Sequence, residues 1–93
     1  MRVARRYVIS GQVQGVGFRY FTERWAIQLG ICGYVKNCWD GNVEVYAIGD
    51  VVQLEEFKGH LAEGPRGGRV SNIAEFEEPL DKRRTTFVIE GGW

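Results

Sequence analysis

Apolar and polar positions alternate from Arg5 to Val13, with Tyr7, Ile9, Gly11 and Val13 on one side and Val8, Ser10 and Gln12 on the other, which predicts a first strand. After a glycine-rich turn at Gln14 to Gly17 the period changes. Phe18, Phe21, Trp25, Ala26 and Leu29 recur at helical spacing until Gly30, a residue suited to a left-handed helix stop. Gly33 to Cys38 predicts a second strand, and the Asp40-Gly41 pair a tight hairpin into a third strand over Asn42 to Ile48. Asp50 with Gln53 makes a capping box for a second helix, whose apolar stripe is Leu54, Phe57 and Leu61 and whose end is Gly64-Pro65. Arg69 to Phe76 and Thr85 to Glu90 predict two more strands, joined by a charged turn around Pro79 to Arg84.

The resulting order is β, α, β, β, α, β with one further strand. This split βαβ rhythm implies an α+β sandwich with two helices on one face of a mostly antiparallel sheet. In that topology the first two strands run parallel with the third between them, so their C-terminal ends meet at one sheet edge. The turn after strand 1 and Asn37 near the end of strand 2 are then about two strand spacings apart, roughly 10 Å. Lys36, next to Asn37, alternates to the opposite face and reads as surface.

With 93 residues, 44% of them apolar and 26% charged, the chain reads as one domain spanning residues 1–93, neither disordered nor a disulfide-built miniprotein. The segment MRVARRYVIS has no apolar block of a secretory signal, and no run approaches the roughly 20 apolar residues of a membrane span, so a soluble, cytoplasmic protein is expected. Net charge is zero, which argues against a dedicated nucleic-acid binder. The charge is unevenly spread: residues 1–36 hold six cations and one acid, net +5, and the remaining six cations face eleven acids, net −5. Arg2, Arg5 and Arg6 read as a solvated N-terminal face, with attraction of a small anion as the alternative. Cys32 and Cys38 on an extended strand would be about 20 Å apart, too far for a disulfide. One histidine, His60, and no CxxC leave no zinc or redox constellation, and His60 reads as a surface or core-edge side chain.

Chemistry concentrates at Gln14-Gly15-Val16-Gly17-Phe18-Arg19. Two glycines between a strand and a helix let successive N–H groups curl inward into a nest that binds anions, helped by the helix dipole. Arg19 in the first helical turn adds a two-pronged guanidinium. The turn is not a P-loop, lacking Gly-Lys-Ser/Thr, nor a dinucleotide fingerprint, since Tyr20 stands where the third glycine would be. By themselves Arg19 also reads as a solvated helix arginine and Asn37 as an amide capping its turn.

The two segments carrying these residues, Ile9 to Arg19 as IxGxVQGVxFR and Gly33 to Gly49 as GYVKNxxxGxVxxxxxG, resemble the two signature segments of the acylphosphatases, and the likeness extends from Arg5 to Glu90. Departures fall at Gly67-Gly68 and in the Gly91-Gly92-Trp93 tail. The resemblance implies a ferredoxin-like fold and metal-independent hydrolysis of small acyl phosphates without a cofactor. It further implies that Gln14, Gly15, Val16, Gly17, Phe18 and Arg19 bind the phosphoryl group, and that Arg19 and Asn37 are catalytic, the asparagine orienting the attacking water. Inorganic phosphate or sulfate would serve as a ligand analogue, and a monomer without nucleic-acid or membrane partner is expected. The same scaffold also serves RNA binding, for which Tyr7, Tyr34 and Tyr46 would need to be exposed on the sheet, and non-catalytic anion sensing.

Overall fold

The computed structural model describes residues 1–91; Gly92 and Trp93 of the tail lie outside the described residues. The elements are β1 (Arg2–Gln12), α1 (Phe18–Leu29), β2 (Cys32–Asn37), β3 (Val43–Asp50), α2 (Val51–Glu63), β4 (Arg69–Glu78) and β5 (Phe87–Glu90). They form one sheet of order β4-β1-β3-β2-β5. β3 runs antiparallel between β1 and β2, pairing Ile9 with Val43 and Asn37 with Val43, and only β5 pairs in parallel, along β2. This is the βαββαβ sandwich with an additional C-terminal strand that the pattern implied.

One core holds the helices to the sheet. Tyr7, Ile9, Val35, Val43, Val45 and Ala47 from the strands close on Phe18, Ala26, Leu54, Phe57 and Leu61 from the helices, all buried. The period-2 positions of the strands therefore face the period-3.6 stripes of α1 and α2. Gly30 takes φ 71° and its N–H meets the carbonyls of Ala26 and Ile27, ending α1 where its left-handed preference requires. At the start of α2 the Gln53 side chain accepts the Asp50 N–H at 3.2 Å.

Three expectations change. The Pro79–Arg84 segment is no local turn: β4 and β5 are opposite edges, so the chain crosses the sheet face away from the helices. It is tied down there by Tyr46, whose hydroxyl donates to the Pro79 carbonyl at 2.8 Å and accepts the Asp81 N–H at 3.0 Å, and by Arg84, stacked 4.9 Å from the Tyr34 ring centre. Tyr46 is thereby buried, and Tyr7 is fully buried in the main core, so neither is an exposed aromatic on the sheet face. The N-terminal arginines are not simply solvated. Arg5, only 13% exposed, contacts Glu55 at 2.6 Å and Glu75 at 3.5 Å, and Arg6 meets Glu78 at 3.0 Å, so these cations neutralise acids of the C-terminal half.

Smaller shifts concern boundaries. β1 begins at Arg2 because Arg2–Ala4 pair with Ile48–Asp50, while Val13, outside the strand, is still buried. Cys32 and Cys38 are free thiols. His60 stacks on Trp25 with ring centres 3.5 Å apart, a contact between α2 and α1.

Candidate active site

The turn after β1 enters α1 through two glycines in the left-handed region, Gly15 at φ 75° and Gly17 at φ 79°. Gly17 is the helix N-cap, and its carbonyl accepts the first helical hydrogen bond, from Phe21 N–H at 3.0 Å. An L-residue with a Cβ is disfavoured at such angles by about 1–2 kcal/mol, which is why glycine serves here. No side chain caps this helix and no acidic residue occupies its first turn, so the positive end of the dipole carries no internal counter-charge. Phe18, 2% exposed, pins the first helical residue into the core and fixes where the turn faces.

Across the sheet edge stands Asn37, the last residue of β2, 6% exposed. A cavity of about 110 Å³ lies between the two elements, lined by Val13, Gly15, Gly17, Phe18, Arg19, Tyr20 and Asn37. The structure thus brings Gly15, Gly17, Phe18, Arg19 and Asn37 together, as the parallel run of β1 and β2 requires. Arg19 is half-buried at its wall and, among the described residues, makes no ion pair, unlike Arg5, Arg6, Arg83 and Arg84. An anion seated there would meet backbone N–H donors, the helix dipole and a planar guanidinium.

Gln14 and Val16 belong to the same turn but do not line the cavity. Val16 packs against the core. The Gln14 side-chain amide donates to the Cys38 carbonyl at 2.8 Å and the Asn42 carbonyl at 2.9 Å. It straps the glycine turn to the β2–β3 hairpin and so fixes the nest relative to Asn37, a positioning role that the local pattern did not disclose. The hairpin itself is closed by Cys38 N–H to the Asn42 carbonyl at 2.8 Å and by Asp40 Oδ1, which accepts Asn42 N–H at 3.0 Å. Lys36 turns away from Asn37, within 3.8 Å of Glu44.

A second, wider cavity of about 480 Å³ shares Asn37 and is bounded by Lys36, Cys38, Trp39, Glu44, Glu90 and Gly91. Burial pushes the Cys38 thiol up from its ordinary pKa, reinforced by the negative charges of Glu44 and Asp40. Cys38 is therefore held as a thiol and is a poor nucleophile. Among the described residues no cluster of three or more His, Cys, Asp or Glu side chains offers a metal site. No helix among them is long and apolar enough to cross a membrane.

Comparison with known proteins agrees with this geometry. The chain is 45% identical over 89 residues to an acylphosphatase of Koribacter versatilis, covering 96% of this chain and 81% of the relative. Among solved structures, the acylphosphatase of Bacillus subtilis superposes with a TM-score of 0.92 at 34% identity, covering 98% of this chain and all of the other. That of Coxiella burnetii superposes at 0.88 with 32% identity, covering 96% and 93% of the two chains. The acylphosphatase family model matches residues 5–89, and the chain belongs to the acylphosphatase family.

Proposed function

We propose that this chain, acting as a single domain over residues 1–93, hydrolyses the carboxyl-phosphate bond of small acyl phosphates to a carboxylate and inorganic phosphate. The observation that carries the reading is the small cavity walled on one side by the glycine turn and Arg19 and on the other by Asn37. Backbone amides of Gln14 to Phe18 and the Arg19 guanidinium hold the phosphoryl oxygens. The Asn37 side-chain amide orients a water for attack in line with the departing carboxylate. As the water oxygen bonds to phosphorus, the bond from phosphorus to the acyl oxygen breaks, the carboxylate leaves with the electron pair, and a phosphoryl oxygen takes the water's proton.

A strong protein base is not needed for this step. The leaving group is a carboxylate, and phosphoryl transfer through a loose transition state asks chiefly for positioning and for stabilisation of charge on the equatorial oxygens. The cavity wall supplies backbone amides, the Arg19 guanidinium and the Asn37 amide, the groups such a step calls for. Cys38 lines the wider cavity rather than the smaller one, which favours direct attack by water over a covalent intermediate on that thiol. The chain is proposed to act as a cytoplasmic monomer.

Benzoyl phosphate or acetyl phosphate, incubated with the purified protein with and without chelator, tests the reading. Hydrolysis undiminished by chelator is expected, with inorganic phosphate or sulfate as competitive inhibitors. Phosphate binding without turnover would convert the site into an anion sensor, and activity abolished by chelator would contradict the scheme.

A further inference from the structure

The arginines at the start of the chain are not placed to act on an anion in the nest. Arg5 and Arg6 are held by carboxylates, and Arg2 lies opposite Asp50, at the end of β1 farthest from the glycine turn. The turn between α2 and β4 carries two other cations, Arg66 and Arg69, both exposed and, among the described residues, without an ion pair. That turn packs on the nest: a Cβ at Gly68 would stand 3.3 Å from Val16 Cγ2, and one at Gly64 would stand 3.6 Å from Phe18 Cε2. Arg69 opens β4 opposite Gln12, the residue before Val13 of the cavity wall. Arg66 sits at the corner of a tight turn in which Gly68 N–H donates to the Pro65 carbonyl at 3.0 Å and Gly67 takes φ 91°. We propose that Arg66 and Arg69 form a capture patch, whose field draws a doubly negative phosphoryl group towards the nest without bonding to it.

Neither arginine lines the smaller cavity, whereas Arg19 does, so the patch acts through space and Arg19 by contact. The acids at this end are Glu63, which closes α2, and Asp40, on the hairpin across the cleft; neither pairs with Arg66 or Arg69. One cation acting through water on a dianion about 10 Å away changes its binding roughly fourfold when unscreened. Two cations, partly offset by Glu63, then supply roughly three- to tenfold. Screening removes the effect as the Debye length falls from about 30 Å at 0.01 M salt to about 3 Å at 1 M. Because the field acts on the bound substrate and on the transition state alike, it enters KM and leaves kcat in place.

This inference rests on the nest being the phosphoryl site of the hydrolysis proposed above, and its test reads binding as well as turnover. Affinity for inorganic phosphate, by titration calorimetry, and kcat and KM for benzoyl phosphate are measured at about 0.01 M and about 1 M ionic strength. The proteins are the wild type, the double variant Arg66→Gln with Arg69→Gln, and Lys82→Gln, with circular dichroism to confirm folding. Lys82 is an exposed cation of the segment that crosses the sheet face away from the helices, so its loss removes charge remote from the nest. At low salt the double variant is expected to lose roughly three- to tenfold in phosphate affinity and in kcat/KM, with kcat within about twofold of wild type. At high salt the difference is expected to close to less than about twofold, and Lys82→Gln to match the wild type throughout. A double variant equal to wild type at low salt, a deficit undiminished at high salt, or an equal loss in Lys82→Gln overturns the patch while leaving the hydrolysis in place. Salt-dependent phosphate capture by a protein that hydrolyses no acyl phosphate overturns the hydrolysis and keeps the patch.

Discussion

Replacing Gly17 by alanine separates the two reasons a glycine is kept, space and backbone angle. A Cβ at residue 17 meets no atom within 4 Å, so crowding contributes nothing, and the whole effect comes from φ 79°. The backbone cannot readily relax, because Phe18 is anchored in the core and the Gly17 carbonyl holds the first bond of α1. Gly17→Ala is thus expected to cost about 1–2 kcal/mol. For a domain of this size each kcal/mol moves the thermal midpoint by about 4–8 °C, giving a fall of about 5–15 °C. Gly59 supplies a control of opposite sign. It sits inside α2 without a positive φ, with equally open space around a Cβ, so Gly59→Ala is expected to stabilise by about 0.5–1 kcal/mol. Gly17→Asn should fall between wild type and Gly17→Ala, since asparagine tolerates the left-handed region. Calorimetric scans of the four proteins under one buffer decide the matter. A Gly17→Ala midpoint at or above the wild-type value would show that the fold does not hold residue 17 left-handed, and the inward-curled nest would lose its basis.

Other outcomes are expected at the site and in the core. Asn37→Ala should lower kcat by roughly 100- to 1,000-fold, about 2.7–4 kcal/mol, with little change in KM, whereas Arg19→Ala should weaken inhibition by phosphate and lower kcat together; steady-state kinetics with phosphate as inhibitor distinguish the two patterns. Gln14→Ala removes two hydrogen bonds between turn and hairpin and should cost about 1–3 kcal/mol in urea unfolding as well as lowering turnover, because the nest and Asn37 are no longer tied together. Burial pushes the Tyr7 hydroxyl up to about 12. A phenol neutral in the fold and ionised when unfolded gives stability that is complete below its ordinary pKa of 10.0 and lost between there and about 12, so unfolding free energy should fall across that window and less steeply in Tyr7→Phe.

Local patterning carried most of this architecture. The limits of α1, Phe18 to Leu29, follow from the glycine on either side and the apolar stripe between them. The β2–β3 hairpin follows from Asp40-Gly41, and the placement of Asn37 opposite the nest from the handedness of split βαβ connections. Non-local matters were hidden. Nothing in Pro79–Arg84 says that β4 and β5 occupy opposite edges, since strand order is decided by which edges remain open after β1, β3 and β2 have paired. The covering of Tyr46 depends on that crossing. Arg5 likewise reads as surface until α2 and β4 bring Glu55 and Glu75 against it, and Gln14 reads as part of the nest until the hairpin carbonyls come within its reach.

The most direct test of the central claim is a crystal structure of the protein soaked in phosphate. The anion is expected in the smaller cavity, with oxygens within hydrogen-bonding distance of the Gly15 to Phe18 amides and the Arg19 guanidinium, and with Asn37 facing it across one ordered water. Phosphate bound elsewhere while that cavity holds only solvent, or bound there with Arg19 turned away, would contradict the account.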